Sequence, residues 1–505
     1  MSSKLVSLFL ESLETSNFLF HVFIIYVFSF VGFFLVRFTF RLKPWCNCDV
    51  CVDFRTSSWS FQYNNLCDWY THLLEKSSSG TIHVHVLGNV ITSNPENVEY
   101  ILKTRFENYP KGKPFSTLLG DLLGKGIFNV DGEPWRFQRK MASLEINNVS
   151  IRSYAFEIVA FEISKRLIPL LEMYKSNGVV LDLQDVFQRF SFDNICKFSF
   201  GWDPNCLDLS LPVSELANAF DIASKLSAER AISGSSLVWK LKKLLNIGSE
   251  KRLKEAIKTI HLLADDVIMQ KKRNMGSFQS NDLLSRFMGS VDDDKYLRDI
   301  VVSFLLAGRD TVASTLTSFF WLMANNKKAR DTIRQEADKI MGGNQDFATI
   351  AQLKEMHYLH AAVYECMRLF PPVQFDSKFC QNDDILPDGT FVKKGTRVTY
   401  HPYAMGRMEK LWGQDCLEFK PERWLVNGCF KPENPFKYPV FQAGLRVCLG
   451  KEMAIMEVKS AALALINKFD FDVVSPKQEP IKFMPGLTAT LKGGLHVLIK
   501  ERDIQ

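Results

Sequence analysis

Cys448 has the densest chemical setting in this chain. It lies in Phe441-Gln442-Ala443-Gly444-Leu445-Arg446-Val447-Cys448-Leu449-Gly450, ahead of a stretch that reads as helix from Leu449 to Phe469. A helix opening after a cysteine offers backbone N–H groups and a positive dipole end that stabilise a thiolate. Gly444 and Gly450 allow tight turns and close backbone approach to a flat ligand. Arg446 can neutralise a carboxylate and Phe441 can shield the sulfur. As axial ligand to haem iron, a thiolate pushes electron density onto the metal and favours O–O cleavage. A single cysteine ahead of a helix is more often core packing; the ten-residue pattern taken whole argues against that here.

Three further groups carry chemistry. Ala307-Gly308-Arg309-Asp310-Thr311 interrupts an apolar run from Tyr296 to Ala324. Gly308 leaves room beside the helix and weakens it locally; alone, Asp310 and Thr311 read as a polar break in a core helix. Glu365 and Arg368 stand at i, i+3 on one helix face, as do Trp135 and Arg139 one turn apart on another. Cys46, Cys48 and Cys51 form Cys-Asn-Cys-Asp-Val-Cys, half of a metal site at most; no second Cys or His cluster at zinc-like spacing completes it, so they read as thiols near a membrane.

The elements that must position these residues are mostly helical. Helical patterns cover Pro134–Asn147, Ser150–Leu171, Leu183–Phe200, Lys251–Asn274, Tyr296–Ala324, Lys327–Met341 and Ala351–Phe370. Thr81–Leu87 alternates as a half-buried strand, short strands are expected near Thr390–Tyr400, and a strand pair closes the chain. The class is mainly α with a small β part. The composition, 46% hydrophobic and 23% charged with 41 Phe in 505 residues, is that of a globular protein with a large apolar core. A net charge of +6 without a basic cluster speaks against nucleic-acid binding, and the odd count of 11 Cys points to a reducing compartment.

The N-terminus reads as a membrane anchor. Residues 18–36 carry no charge and are long enough as helix to span about 28 Å, close to the hydrocarbon thickness. Arg37, Arg41 and Lys43 follow directly, which places the C-terminal body in the cytosol. The expected organisation is a short lumenal segment over 1–17, a transmembrane signal anchor over 18–38, a linker over 39–60 and a catalytic domain over 61–505. The endoplasmic reticulum membrane is the expected location, with a single pass.

The cysteine motif resembles the haem-binding signature of the cytochrome P450 superfamily at every defining position, and the other motifs follow in family order. Phe419-Lys420-Pro421-Glu422-Arg423-Trp424 resembles the motif whose arginine joins the Glu365–Arg368 pair, so the resemblance makes Arg423 the third partner. It further implies haem b ligated by Cys448, Trp135, Arg139 and Arg446 at the haem propionates, Asp310 and Thr311 in oxygen activation, and electrons from NADPH through NADPH-cytochrome P450 reductase. Asn108–Lys113, Trp135–Lys140 and Tyr403–Met408 resemble the plant fatty-acid ω-hydroxylase clan. Asp299–Thr311, Leu369–Lys378 and Lys437–Met453 resemble its family 94 subfamily, which oxidises the hormone jasmonoyl-isoleucine at its chain end. Ala307 stands where animal ω-hydroxylases often carry Glu, so no ester-linked haem is expected; Lys378 stands where many relatives have Arg, which leaves a propionate contact there open.

The expected activity is hydroxylation of the terminal (ω, C12) carbon of jasmonoyl-isoleucine, and onward to the carboxylic acid, in hormone turnover. A general fatty-acid ω-hydroxylase is the alternative. A haem-thiolate hydroperoxide isomerase or dehydratase fits less well, because such enzymes usually lack the Asp310-Thr311 pair and depart from the standard loop; a scaffold without turnover fits least. By resemblance the pocket for a lipophilic carboxylic acid draws on Phe115, Leu119, Phe304, Leu305, Ala307, Thr311, Val373, Phe375, Leu487 and Thr488. Lys111, Lys113 and Lys125 flank the loop expected to cover it; each can hold the substrate carboxylate, and each singly reads first as a solvated surface lysine.

Overall fold

The structure is a computed structural model and describes residues 22–32, 46–208, 215–232, 236–274, 282–342, 347–474, 481–484 and 486–502. A 32-residue helix, Asp294–Asn325, runs through its centre. Asp293 caps it by accepting from the amides of Lys295 and Tyr296, at 2.9 and 3.3 Å, so it starts two residues before the apolar pattern does. It is continuous through Gly308. The helix Leu183–Phe200 packs along it and is buried over most of its length. Asp182 caps that helix at the Gln184 amide (2.9 Å), and Gly201 ends it at a φ of 62°. Helices Lys327–Met341, His357–Leu369 and Lys451–Lys468 close the same core.

The two largest of the small sheets have four and three strands. Strands Thr81–Val84, Asn89–Thr92, Arg397–Tyr400 and Asp376–Phe379 form one in that order, with Asn89–Thr92 parallel to Arg397–Tyr400. Phe469–Val473, His496–Glu501 and Leu181–Asp182 form the other. The mainly helical class therefore holds.

Several boundaries differ from the sequence reading for local reasons. The strand expected over Thr81–Leu87 stops at Val84; His85–Leu87 is a 3-10 turn and Gly88, at a φ of 54°, sends the chain back as the second strand. The helix expected over Ala351–Phe370 is two helices, Ile350–Glu355 and His357–Leu369, divided at Met356. Glu336 supplies the reason: its carboxylate accepts from the amides of Tyr358 and Leu359 at 2.7 and 2.9 Å, starting the second helix afresh. The helices Gly112–Leu123, Glu215–Ile232 and Ser236–Leu245 were not expected.

The N-terminal parts also differ. Of the expected anchor over 18–38, the apolar helix Val22–Gly32 is described, with Phe23, Ile25, Tyr26 and Phe28 exposed; the rest lies outside the described residues, as does the 1–17 segment. Among the described residues, the helix long and apolar enough to cross a membrane is Asp294–Asn325, and because 67% of the residues in its most apolar stretch are buried it is a core helix. The linker expected over 39–60 is folded where it is described: Asp49–Thr56 is helical, and Cys51 is buried against Trp69, Tyr70, Leu74 and Val84. The packed body thus begins before residue 61.

Candidate active site

The cysteine loop is held from both ends. It is built from the 3-10 turns Pro439–Phe441 and Gly444–Arg446, and the Cys448 amide donates to the Phe441 carbonyl at 2.8 Å. Gly444, at a φ of 62°, has its missing side chain replaced by the Leu102 carbonyl, so no other residue fits. The following helix begins at Lys451 with Gly450 as cap, two residues later than expected. Burial is the largest influence on the Cys448 thiol and raises its pKa, while the Gly450 amide and the charges of Arg139 and Lys451 pull it down. The cysteine is thus deep in the protein, yet it keeps an open surface, as do Leu445 and Val447 beside it. A sulfur that is enclosed but not packed upon can meet a flat, metal-bearing ligand, and a bound cation completes the shift to thiolate that the local charges begin.

Cationic groups gather beside the loop. The Arg446 guanidinium lies over the Trp135 ring at 4.5 Å, and its Nη2 donates to Asp131 (2.6 Å) and the Val130 carbonyl (3.0 Å). Its buried Nε has no partner among the described residues. Burial depresses the pKa of Arg139 and of Arg446, and the two sit close enough for the charge of Arg446 to add to that on Arg139. Two crowded guanidiniums and an orphaned N–H fit the carboxylates of a haem. Sequence reasoning named Lys111 and Lys378 but missed the carboxylate of Asp376 that joins them. Lys378 is buried, 2.9 Å from Asp376, and Asp376 also receives Lys111 (2.5 Å), Tyr400 (2.9 Å) and Gln442 (3.3 Å). Burial drives Lys378 down to about 7; it would raise Asp376, but Lys111 and Lys378 hold that carboxyl well below its usual range. Lys111 is therefore an ion-pair member inside the protein and not a surface lysine, whereas Lys113 and Lys125 are exposed.

The central helix supplies the other side. In the middle of this helix Phe304, Leu306, Ala307, Gly308, Asp310 and Thr311 are half-buried; of these Phe304, Ala307, Gly308 and Thr311 stand at the i, i+3, i+4, i+7 spacing of one stripe. Gly308 does not loosen the helix or simply leave a gap: a side chain there would collide with Ile195 of Leu183–Phe200, so the glycine lets the two helices approach. Thr311 Oγ1 donates to the Ala307 carbonyl at 2.7 Å. Asp310 accepts from Arg309 at 3.2 Å, and Arg309 also pairs with Asp221 at 2.6 Å. Burial raises the Asp310 pKa against the pull of Arg309 and of the Thr488 hydroxyl. Nearer the start of this helix, buried Asp299 accepts from the Lys125 amide at 2.7 Å and fills the space beside Gly124, which pins the 124–126 loop.

The structure joins Glu365, Arg368 and Arg423. Arg368 makes two bonds to the Glu365 carboxylate, at 2.7 and 2.8 Å, and Arg423 a third at 3.1 Å. The Trp424 indole and the Lys420 amide also donate to Glu365. Of the expected pocket residues, Phe115, Phe304 and Leu487 share one apolar cluster with Leu449 and Met453 from the cysteine side. Leu119 and Leu305 are core within that cluster. Val373 and Phe375 are half-buried on another segment, with Phe375 5.8 Å from the ring of buried His401.

Comparison with known proteins agrees with this geometry. The family model described as Cytochrome P450 matches residues 78–498. Cytochrome P450 94C1 of Arabidopsis thaliana is 62% identical over 466 residues, 91% of this chain and 94% of that relative. Cytochrome P450 94B3 of the same plant is 49% identical over 88% of this chain and 90% of the relative. Cytochrome P450 94A1 of Vicia sativa is 46% identical over 86% of each.

Proposed function

The chain belongs to the cytochrome P450 family and is a haem-thiolate monooxygenase that takes electrons from a reductase, and we propose that it hydroxylates the terminal carbon of jasmonoyl-isoleucine, with Cys448 as the iron ligand. When bound, the haem supplies oxygen activation and insertion of one oxygen atom into a C–H bond. The Gly450 amide and the charges of Arg139 and Lys451 favour the thiolate of Cys448. Trp135, Arg139 and Arg446 would hold the haem carboxylates, Gly444 would let the backbone come close, and Phe441 would shield the sulfur. Asp310 holds a proton nearer neutrality than an exposed carboxylate because burial raises its pKa. Thr311, whose hydroxyl proton is engaged by the Ala307 carbonyl, keeps its oxygen as an acceptor for a water carrying that proton.

Phe115, Phe304, Ala307, Val373, Phe375 and Leu487 line the substrate space, with Leu119 behind them. Lys111 is neutralised by Asp376, so it does not serve as the substrate's carboxylate partner. The chain is anchored through the 18–38 segment, of which Val22–Gly32 is an exposed apolar helix, in the endoplasmic reticulum membrane. Its catalytic domain faces the cytosol, where NADPH-cytochrome P450 reductase delivers the electrons.

The hormone reading is carried by Asp299–Thr311, Leu369–Lys378 and Lys437–Met453, which resemble the subfamily that oxidises jasmonoyl-isoleucine. The test is kcat/KM for jasmonoyl-isoleucine against lauric and oleic acids in one reductase system. The hormone conjugate should win; a fatty acid ahead by about tenfold, about 1.4 kcal/mol in transition-state stabilisation, replaces this reading with a general ω-hydroxylase. Cys448→Ser should abolish the long-wavelength band of the reduced carbon monoxide complex, and a wild-type spectrum typical of His-ligated haem would exclude Cys448 as ligand.

A further inference from the structure

Outside the cysteine loop, the fold completes a cluster that the sequence left half-made. Cys46, Cys48 and Cys51 surround the helix start at Asp49, and His85 comes to them from the 3-10 turn of the hairpin Thr81–Thr92. Their four donor atoms all lie within 4.8 Å of one another. His85 Nδ1 is 3.5 Å from the sulfur of Cys46, 3.7 Å from that of Cys48 and 4.0 Å from that of Cys51, and the Cys46 and Cys48 sulfurs are 3.4 Å apart.

These separations discriminate between chemistries. Zinc bonds of about 2.3 Å to sulfur and about 2.0 Å to nitrogen, set tetrahedrally, put sulfurs about 3.8 Å apart and each sulfur about 3.5 Å from the nitrogen. The cluster matches that shell. A disulfide would join two sulfurs at about 2.05 Å and leave the third sulfur and the histidine with no part. One thiol–imidazole hydrogen bond would account for one sulfur near Nδ1, not three. Three sulfurs and one nitrogen converging on one point suit a single borderline-soft ion.

We propose that Cys46, Cys48 and Cys51, as thiolates, and His85, through Nδ1, bind one zinc ion. All four positions are filled by protein, so the site is structural and holds no exchangeable water. Binding releases the thiol protons to solvent and changes no oxidation state. The zinc ties the helix Asp49–Thr56 to the turn between the first two strands, beside the apolar cluster of Trp69, Leu74, Val84 and Met408. It therefore fastens the chain emerging from the N-terminal apolar segment onto the sheet that also carries Asp376 and Lys378.

The experiment uses the full-length holoprotein, purified in detergent without chelators. Elemental analysis should find one zinc per chain beside one iron, and zinc-edge X-ray absorption should fit three sulfurs and one nitrogen. Cys48→Ser and His85→Ala should lose the zinc and keep the iron; Cys429→Ser, at an exposed cysteine outside the cluster, should keep both. If the variants cannot be recovered folded, the wild-type zinc content and its absorption shell decide alone. Wild-type protein well short of one zinc, a shell without sulfur, or a Cys46–Cys48 disulfide by mass spectrometry overturns the proposal. The reduced carbon monoxide spectrum reports separately on Cys448, so failure of one site is not mistaken for failure of the other.

Discussion

Two charge clusters inside this protein use the same residue types and differ in completeness. At Glu365 both carboxylate oxygens are occupied by Arg368, Arg423, Trp424 and the Lys420 amide, and the Glu365 and Arg368 side chains are 0% exposed. On the central helix, Arg309 reaches both Asp310 and Asp221, but its Nε has no partner among the described residues and Asp221 is 49% exposed. The first cluster has nothing left to exchange and ties the helix His357–Leu369 to the 420–424 segment. The second is unfinished beside half-buried residues, which accords with the proton-passing role proposed for Asp310.

Substitutions can test that contrast. Glu365→Ala strands the Arg368 guanidinium in the core and should cost about 3–5 kcal/mol, a large share of the roughly 5–15 kcal/mol that hold a typical domain. Thermal unfolding and recovery of haem-loaded protein would register it. Asp310→Asn should fold and load haem normally but lose about 10²–10⁴-fold in product formation, the usual weight of a positioned acid–base group. Should it unfold the protein as Glu365→Ala does, the contrast fails. Thr311→Ala should divert NADPH electrons to peroxide with substrate binding intact; unchanged coupling removes the threonine from proton delivery.

The most gradual effect, spread over several pH units, comes from a carboxyl with still fewer partners. Glu457, in Lys451–Lys468, accepts one bond from Asn194 at 3.0 Å, and burial pushes its pKa from 4.5 to about 8. The native state therefore holds this proton where the unfolded chain has lost it. Its contribution to stability is full below pH 4.5 and disappears as pH rises through about 8, with a slope of at most about 1.4 kcal/mol per pH unit. Glu457→Gln should flatten unfolding midpoints across that window relative to wild type.

What could be read from the sequence was what neighbours in the chain decide. Leu183–Phe200 and Lys327–Met341 have the bounds that their caps and apolar spacing predict, because Gly201 and Gly342 close them in the left-handed conformation. The cysteine loop, Glu365 with Arg368, and Asp310 with Thr311 each lie within a few residues, so their type and spacing were visible. What stayed hidden depends on partners brought from afar. Glu336 splits the helix at Met356, Asp376 turns Lys111 inward, Ile195 explains Gly308, and His85 joins cysteines more than thirty residues earlier. None of these leaves a periodic or compositional trace, because each is a single side chain whose partner is chosen by the tertiary fold.

The parallel pairing of Asn89–Thr92 with Arg397–Tyr400 has a consequence for biosynthesis. The first hairpin emerges from the ribosome early and must wait for roughly 300 more residues before its neighbour exists, on the order of 15–60 s at translation rates of about 5–20 residues per second. Throughout that interval the hydrogen-bonding edge of Asn89–Thr92 is bare, a template for pairing with the wrong chain. Nascent chains of this enzyme should therefore depend on chaperones from early in synthesis, and truncations ending before Arg397 should be captured by them or aggregate.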